Sequence, residues 1–236
     1  MAQQAGTSRH SEGVEAAGIE ESLRALPGFA LDEVGYGLKR PLDILLAVVG
    51  LVLTIPITAL IFIAIKLDDG GPVLYSQERW GRWGRSFRLL KFRTMIPSSD
   101  AEYGILQAAE HDGRVTHVGK VLRAMGLDEL PQLVNVLKGD MSVVGPRALA
   151  LAEVVRISGE MVSYDTVPGF TQRMMVRPGI TSPATIYRHK DVNPLVKFAD
   201  DVRYVKAQSL WLDLRLIAIS LWVSFRGRWE ARESKL

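Results

Sequence analysis

Cysteine is absent from the 236 residues, so the chain has neither a disulfide framework nor a thiolate metal site. No apolar run near Met1 resembles a signal peptide. A Walker loop, the dinucleotide-binding glycine fingerprint and the nucleophile elbow of hydrolases are also missing, so these common classes have no support. The histidines show no ligand-like pairing, which argues against zinc: His10, His111, His117 and His189.

Charge is modest overall but concentrated in one stretch. Charged residues make up 23% of the chain and hydrophobic residues 47%, which fits one domain with appendages. The net charge is only +3. Six cations nevertheless lie between positions 79 and 93 without an acid among them: Arg79, Arg82, Arg85, Arg88, Lys91 and Arg93. Such a local positive field suits phosphates or anionic lipid.

An uncharged apolar run of 22 residues extends from position 44 to position 65. As a helix it reaches about 33 Å, roughly one hydrocarbon thickness of a bilayer. Pro56 removes a backbone donor and should bend this helix, and Arg40 and Lys66 lie at its two basic flanks. Because basic flanks favour the cytoplasmic side, we predict a kinked re-entrant helix with both ends on that face. A straight span and a buried core helix are the alternatives.

The two ends of the chain differ in pattern. Residues 1–35 show no sustained apolar period, which predicts a mobile tail. Towards the other end, polar residues form a narrow stripe on an otherwise apolar helix: Ser209, Asp213, Ser220 and Ser224. With Trp229 following, this helix is predicted to lie at the membrane interface, and burial in the globular core is the equal alternative.

A β-hairpin is predicted where residues 73–77 and 86–94 alternate like strands around a glycine-containing loop. Basic and aromatic residues interleave at its tip, which suits lipid headgroups and also single-stranded nucleic acid. In the second strand, Lys91 and Arg93 are expected on one face, where two cations can meet a diphosphate. Solvated surface charges are the alternative for this pair.

Two adjacent carboxylates, Asp128 and Glu129, come just before a helical pattern in which Pro131 fits only the first turn. An N-cap with a neighbouring acid explains such a pair without any chemistry. The functional interpretation is a nucleophilic Asp128, with Glu129 helping to hold a cation such as Mg²⁺. Two carboxylates are enough for that ion when substrate phosphate oxygens complete its ligands.

Three more arginines are candidate phosphate ligands. Arg123 precedes the dyad by five residues, close enough to balance its negative charge. The segments Gly-Pro-Arg at 145–147 and Arg-Pro-Gly at 177–179 hold Arg147 and Arg177 close to rigid backbone, as bidentate phosphate recognition prefers. Alone, each segment is only a turn beside a surface arginine.

Together and in this order, these motifs resemble the bacterial sugar transferase family, the monotopic phosphoglycosyl transferases. The resemblance covers nearly everything except the tail and is carried by residues 39–43, 91–95, 127–132, 138–142, 145–147, 177–181 and 209–213. Three positions depart from the family pattern. Ile55 stands where Ser usually precedes the kink proline, Ala148 replaces the proline after Gly-Pro-Arg, and Ser182 replaces a common glycine.

The resemblance implies an α+β monotopic membrane protein. Its re-entrant helix would be residues 36–67, followed at 68–236 by a catalytic domain with a small hairpin and a C-terminal interfacial helix. This domain would lie on the cytoplasmic face of the bacterial inner membrane. Possible association into homo-oligomers stays open.

The implied reaction begins exopolysaccharide or glycoconjugate synthesis. Asp128 would attack the sugar-linked phosphorus of a UDP-sugar and expel UMP. Polyprenyl phosphate would then take the phosphosugar, with Glu129 and Mg²⁺ assisting. Five cations would bind phosphates: Lys91, Arg93, Arg123, Arg147 and Arg177.

Two other functions are consistent with parts of the sequence. The basic and aromatic hairpin suits a membrane-anchored scaffold or a nucleic-acid-binding protein. A transferase that breaks the sugar carbon–oxygen bond would release UDP instead of UMP. Our prediction is the phosphoglycosyl transferase, with membrane lipid and no nucleic acid among its partners; the transferred sugar is not predicted.

Overall fold

The computed structural model describes residues 35–97, 112–151, 153–157, 160–188 and 192–229. Its helices are α1 (Lys39–Asp69), α2 (His117–Met125), α3 (Gln132–Lys138), α4 (Phe170–Arg173), α5 (Pro183–Tyr187), α6 (Pro194–Ala207) and α7 (Leu210–Phe225). Its strands are β1 (Leu74–Trp80), β2 (Ser86–Phe92), β3 (Ser142–Val144), β4 (Val154–Ile157), β5 (Glu160–Ser163) and β6 (Gly179–Thr181). The predicted mixture of helices with small sheets is confirmed. The tail predicted at residues 1–35 lies outside the described residues, except for Gly35.

Helix α1 is continuous through Pro56. The Thr54 hydroxyl donates to the carbonyl of Gly50 at 2.6 Å, a side-chain bond that tends to bend helices. In the part of the chain that the structure describes, α1 is the one helix long and apolar enough to cross a membrane, with a mean hydropathy of 2.8 in its best window and 11% of that window buried. It is therefore a candidate membrane helix, and most of its apolar side chains face outward.

Both ends of α1 are attached to the same globular body. Near the start, Lys39 Nζ lies 2.5 Å from Asp213 Oδ2, and Asp43 Oδ1 accepts from Ser142 Oγ at 2.9 Å. At the other end, Arg93 forms a two-pronged ion pair with Asp69. These contacts fasten the helix along the body rather than at one end alone.

The second half of α1 packs against the turn that carries Asp128 and Glu129. Its buried residues Ile61 and Ile65 join an apolar cluster with Phe92 of β2 and Leu122 of α2, against which Leu127 is also packed. Burial of apolar side chains is the main favourable contribution to such packing. The turn that carries the dyad is therefore seated on the second half of the apolar helix.

The predicted hairpin is confirmed as β1 and β2, with strands at Leu74–Trp80 and Ser86–Phe92. The antiparallel register pairs Tyr75 with Lys91 and Arg79 with Phe87, so these residues share one face. At the tip, Trp83 has a φ of 58°, a left-handed conformation that is unusual for a bulky residue. The hairpin thus presents one row of polar and basic side chains towards the dyad.

A short pair of parallel strands brings the Gly-Pro-Arg and Arg-Pro-Gly motifs together. Ser142 of β3 pairs with Gly179 of β6, and Val144 pairs with Thr181. Gly145 packs so closely on the backbone of Arg177 that a Cβ atom there would overlap its carbonyl oxygen. Only glycine permits this approach, and it places the two motifs side by side.

Helix α7 has one buried face and one exposed face, and each has the side chains expected for one of the two predicted alternatives. Its inner face is buried through Asp213 and Leu216, as in a core helix. Its outer face exposes Trp211 and Phe225 by 78% and 80%, as in an interfacial helix. Trp229 was expected at the membrane interface with this helix, but it is buried and does not belong to the outer face.

Candidate active site

Asp128 and Glu129 lie on a 3-10 turn between α2 and α3. Gly126 ends α2 in the left-handed conformation, with a φ of 68°. The predicted position ahead of a helix is confirmed, although this 3-10 turn separates the acids from the helix itself. A Cβ atom on Gly126 would lie 3.0 Å from the indole of Trp229, so the turn closes tightly on that ring.

The surroundings of Glu129 favour its protonated form. Burial and the carboxylate of Asp128 raise the pKa of Glu129 to about 7. Arg147 and Lys91 act in the opposite direction, and the indole of Trp229 donates a hydrogen bond to its carboxyl. A carboxyl that titrates near neutral pH is suited to proton transfer or to binding a cation.

Lys91 faces the dyad from β2. Burial lowers the pKa of Lys91, while the carboxylate of Asp128 acts in the opposite direction. Its Nζ atom also lies 4.9 Å from the ring centroid of Tyr75. Three guanidiniums within electrostatic reach lower the pKa further: Arg79, Arg123 and Arg147. The predicted cations Lys91, Arg123 and Arg147 are therefore brought together by the fold.

Arg79 belongs to this cluster although the sequence did not identify it as a site residue. Burial and the nearby guanidinium of Arg147 lower its pKa, while Glu153, 3.5 Å away, and Glu129 act in the opposite direction. Its Nη1 atom donates to the carbonyl of Ala148 at 3.0 Å. The available signal was the strand alternation, since the residues at 75, 77 and 79 share the face of Lys91.

Arg93 lies away from the dyad. Strand β2 ends at Phe92, and the Arg93 guanidinium turns to Asp69 at the end of α1 and to the carbonyl of Met95, 3.1 Å away. Lys91 and Arg93 therefore meet different partners, the dyad for Lys91 and Asp69 for Arg93, and the structure does not bring the two cations together at one place. In the structure Arg93 fastens α1.

Arg177 also points away from the dyad. Its Nε atom donates to the carbonyl of Gly139 at 2.7 Å. Burial and the nearby Arg40 lower the pKa of Arg177, while Asp43 raises it, so its electrostatic neighbours belong to the start of α1. The Arg147 guanidinium instead acts on Glu129, although the two turn motifs are adjacent. The predicted phosphate ligands thus divide between two places.

Two carboxylates at this turn can hold a hard cation. The Oε2 atom of Glu129 is buried and accepts no hydrogen bond from the residues that the structure describes. Within those same residues, no group of three or more His, Cys, Asp or Glu side chains suits a metal ion. Asp128 and Glu129 therefore fit a cation such as Mg²⁺ whose other ligands are phosphate oxygens and waters, and do not form an all-protein cage.

The chain matches a known protein family over most of its length. The family model described as bacterial sugar transferase matches residues 34–227. The chain belongs to that family. This match covers the dyad, the cationic cluster, α1 and α7, and confirms the resemblance drawn from the motifs.

Relatives with assigned names agree with the family. The UDP-glucose:undecaprenyl-phosphate glucose-1-phosphate transferase of Caulobacter vibrioides is 40% identical over 83% of this chain and 73% of its own length. Exopolysaccharide production protein ExoY of Rhizobium meliloti is 38% identical over 80% of this chain and 85% of its own length. In Aeromonas hydrophila, UDP-N-acetylgalactosamine-undecaprenyl-phosphate N-acetylgalactosaminephosphotransferase is 40% identical over 76% of this chain but only 42% of its own length.

Proposed function

We propose that this bacterial sugar transferase moves a phosphosugar from a UDP-sugar to undecaprenyl phosphate or a similar polyprenyl phosphate. The main support is the adjacent carboxyl pair Asp128 and Glu129. Three cations face this pair: Lys91, Arg79 and Arg147. The named relatives that act on UDP-sugars and undecaprenyl phosphate support it. Phosphoryl transfer depends on positioning and charge neutralisation, which such a cluster supplies.

In the first half-reaction a carboxylate oxygen of Asp128 attacks the sugar-linked phosphorus. The bond from that phosphorus to the bridging oxygen breaks, and UMP leaves with the electron pair. Lys91 and Arg147 neutralise the charge on the diphosphate as it is transferred. A Mg²⁺ ion held by Asp128 and Glu129 would supply further neutralisation of phosphate oxygens.

In the second half-reaction the lipid phosphate attacks the aspartyl phosphosugar. A phosphate oxygen of the lipid forms the new bond to phosphorus, and the carboxylate of Asp128 is released. Because the dyad turn is packed on Ile61 and Ile65 of α1, a headgroup anchored beside that helix has a short path to the dyad. Burial of α1 in the lipid therefore sets the depth at which the reaction takes place.

We also propose that both ends of α1 lie on the cytoplasmic face of the inner membrane. Lys39 and Asp69, at its two ends, are each paired with the same globular body, which supports a re-entrant arrangement over a span. Because the chain has no cysteine, Gly37→Cys and Pro72→Cys give single labelling sites at exposed positions. Neither cysteine should react with a membrane-impermeant maleimide added from the periplasmic side. Reaction of one of the two alone would show that α1 spans the membrane.

The first test of the function is nucleotide release by purified protein in detergent with Mg²⁺. A panel of UDP-sugars is supplied with and without polyprenyl phosphate, and the released nucleotide is identified. Sustained UMP release that needs the lipid is expected. Release of UDP would show that the sugar carbon–oxygen bond breaks, and tight oligonucleotide binding without UMP release would favour the scaffold or nucleic-acid alternative.

A further inference from the structure

Arg173 of α4 and Asp201 of α6 form a buried ion pair outside the dyad cluster. Their side chains are 2% and 1% exposed, and Arg173 Nη2 lies 2.7 Å from Asp201 Oδ2. The guanidinium also lies 4.2 Å from the ring centroid of Phe198. Desolvation of two charges commonly offsets their attraction, so such a pair adds little to the stability of a fold. Stability is thus a weak reason for its presence.

The pair is attached to the backbone of one site residue. Arg173 Nη2 also donates to the carbonyl oxygen of Arg147 at 2.9 Å. The backbone N–H of Arg147 acts electrostatically on the carboxylate of Asp201 and lowers its pKa, against the effect of burial. The Arg147 backbone is therefore held at its carbonyl by Arg173, which Asp201 holds in turn.

The residues that follow Arg147 are held from the hairpin. Arg79 Nη1 donates to the carbonyl of Ala148 at 3.0 Å, and the N–H of Trp80 donates to the carbonyl of Leu149 at 2.8 Å. The segment is consequently fixed from two sides, by β1 and by the ion pair. Beyond this fixed backbone, the Arg147 side chain is exposed and acts electrostatically on Glu129.

We propose that Arg173 and Asp201 are positioning residues that aim the Arg147 guanidinium at the phosphates of the substrate. The proposal rests on the function proposed above and adds two residues to it. A long arginine side chain loses conformational entropy when it binds a phosphate. A fixed backbone limits the positions that the side chain can reach, so less entropy is lost on binding. Small displacements in such a site lower rates strongly.

The decisive variant is the double replacement Arg173→Met/Asp201→Leu. Because it removes both charges, it leaves no unpaired charge in the interior, and the fold should survive. We expect the kcat for UMP release to fall about tenfold to a hundredfold, by loss of positioning. The control is Val205→Ala, which makes a small cavity in the same helix α6, at a residue 4% exposed, without touching Arg147. It should lower the melting temperature with kcat unchanged.

A double-mutant cycle separates positioning from general structure. If the ion pair acts only through Arg147, the double replacement should have no further effect on kcat in an Arg147→Ala background. Losses that multiply in the combined variant would overturn the proposal. Full activity of the well-folded double replacement would overturn it as well.

Hydrogen exchange at the Gly179 amide, which donates to the carbonyl of Pro146 directly before Arg147, tests whether the ion pair holds this backbone, without any substrate. The double replacement should speed this exchange at least about tenfold while the amides of α6 stay protected. Unchanged exchange would show that the pair does not hold Arg147. If the unaltered protein released no UMP from any UDP-sugar, the proposed function would fail, and the exchange result would still decide whether the ion pair holds this backbone.

Discussion

Two buried polar centres of this molecule differ in how completely their groups are paired. At the start of α1, Asp213 Oδ2 accepts from Lys39 at 2.5 Å and from Tyr36 at 2.8 Å, and Asp213 Oδ1 accepts from the hydroxyl of Tyr204 at 2.7 Å. At the dyad, the Oε2 atom of Glu129 accepts no hydrogen bond from the described residues. Buried polar groups without partners are costly, so an incomplete centre indicates a ligand.

The charges of the two centres differ in the same way. Around Asp213, the ammonium of Lys39 is matched by a carboxylate. Burial together with Asp213 keeps the pKa of Tyr204 above its usual range, so its hydroxyl stays a donor. Around the dyad, four cations outnumber three acids, Asp128, Glu129 and the Glu153 that lies 3.5 Å from Arg79: Lys91, Arg79, Arg123 and Arg147. A diphosphate substrate would supply the missing negative charge. The first centre is built to hold a helix and the second to receive an anion.

The largest expected effect is the loss of activity in Asp128→Asn. Removing the attacking carboxylate should lower UMP release about a thousandfold or more, since the carboxamide that replaces it is a poor nucleophile. The fold should be unaffected, which thermal unfolding in detergent would show. Wild-type UMP release by this variant would mean that Asp128 is not the nucleophile.

Asp213→Asn should damage the other centre instead. It leaves the partly buried ammonium of Lys39 without its counter-ion, and the unfolding free energy should fall by about 3 kcal/mol. Activity per folded molecule should change little. The matched control is Asp200→Asn, which loses an ion pair with the 39% exposed Arg188 and should cost below about 1 kcal/mol. Equal losses of unfolding free energy in the two variants would show that the buried ion pair of Asp213 matters no more than the exposed pair of Asp200.

Two lysine replacements compare the adjacent arginine motifs. Arg147→Lys should lower UMP release about tenfold, because lysine lacks the planar fork that binds phosphate. Arg177→Lys should lower stability by about 1 kcal/mol through its hydrogen bond to Gly139, with kcat nearly unchanged. Steady-state kinetics and thermal unfolding of both variants check this assignment. If Arg177→Lys lowered UMP release and Arg147→Lys lowered only stability, Arg177 and not Arg147 would be the phosphate ligand.

The smallest effect concerns the pH dependence of stability in metal-free protein. Glu129 has a pKa raised to about 7, so the folded state keeps a proton that the unfolded state loses as the pH rises. Its favourable contribution is complete below the unfolded value of 4.5 and is lost as the pH rises through about 7. Glu129→Gln should therefore gain about 1–2 kcal/mol over the wild type at about pH 8 and nothing in acid. A gain that does not depend on pH would contradict this.

Local patterns in the sequence were sufficient for several features. The apolar run around Pro56, the hairpin and the acidic turn before α3 are confirmed as elements of the fold. Each depends on side-chain periodicity or turn chemistry within a few dozen residues. The family could be predicted for the same reason, because its motifs are short and are read in order.

The direction of each arginine could not be read locally. Arg147 and Arg177 have similar motifs, yet one acts on Glu129 and the other donates to Gly139. That difference follows from the pairing of β3 with β6 and from the docking of α1, which join residues far apart in the chain. Arg93 was misplaced for the same reason, because its partner Asp69 belongs to α1.

The sequence by itself therefore determined the elements, the family and the acidic pair at the centre of the site. Tertiary structure alone decided which side chains surround that pair, since it added the cation Arg79 and the indole of Trp229 and removed Arg93 and Arg177. The physical reason is that periodicity selects the face of an element on which a side chain lies. Long-range packing and charge then select what that face meets.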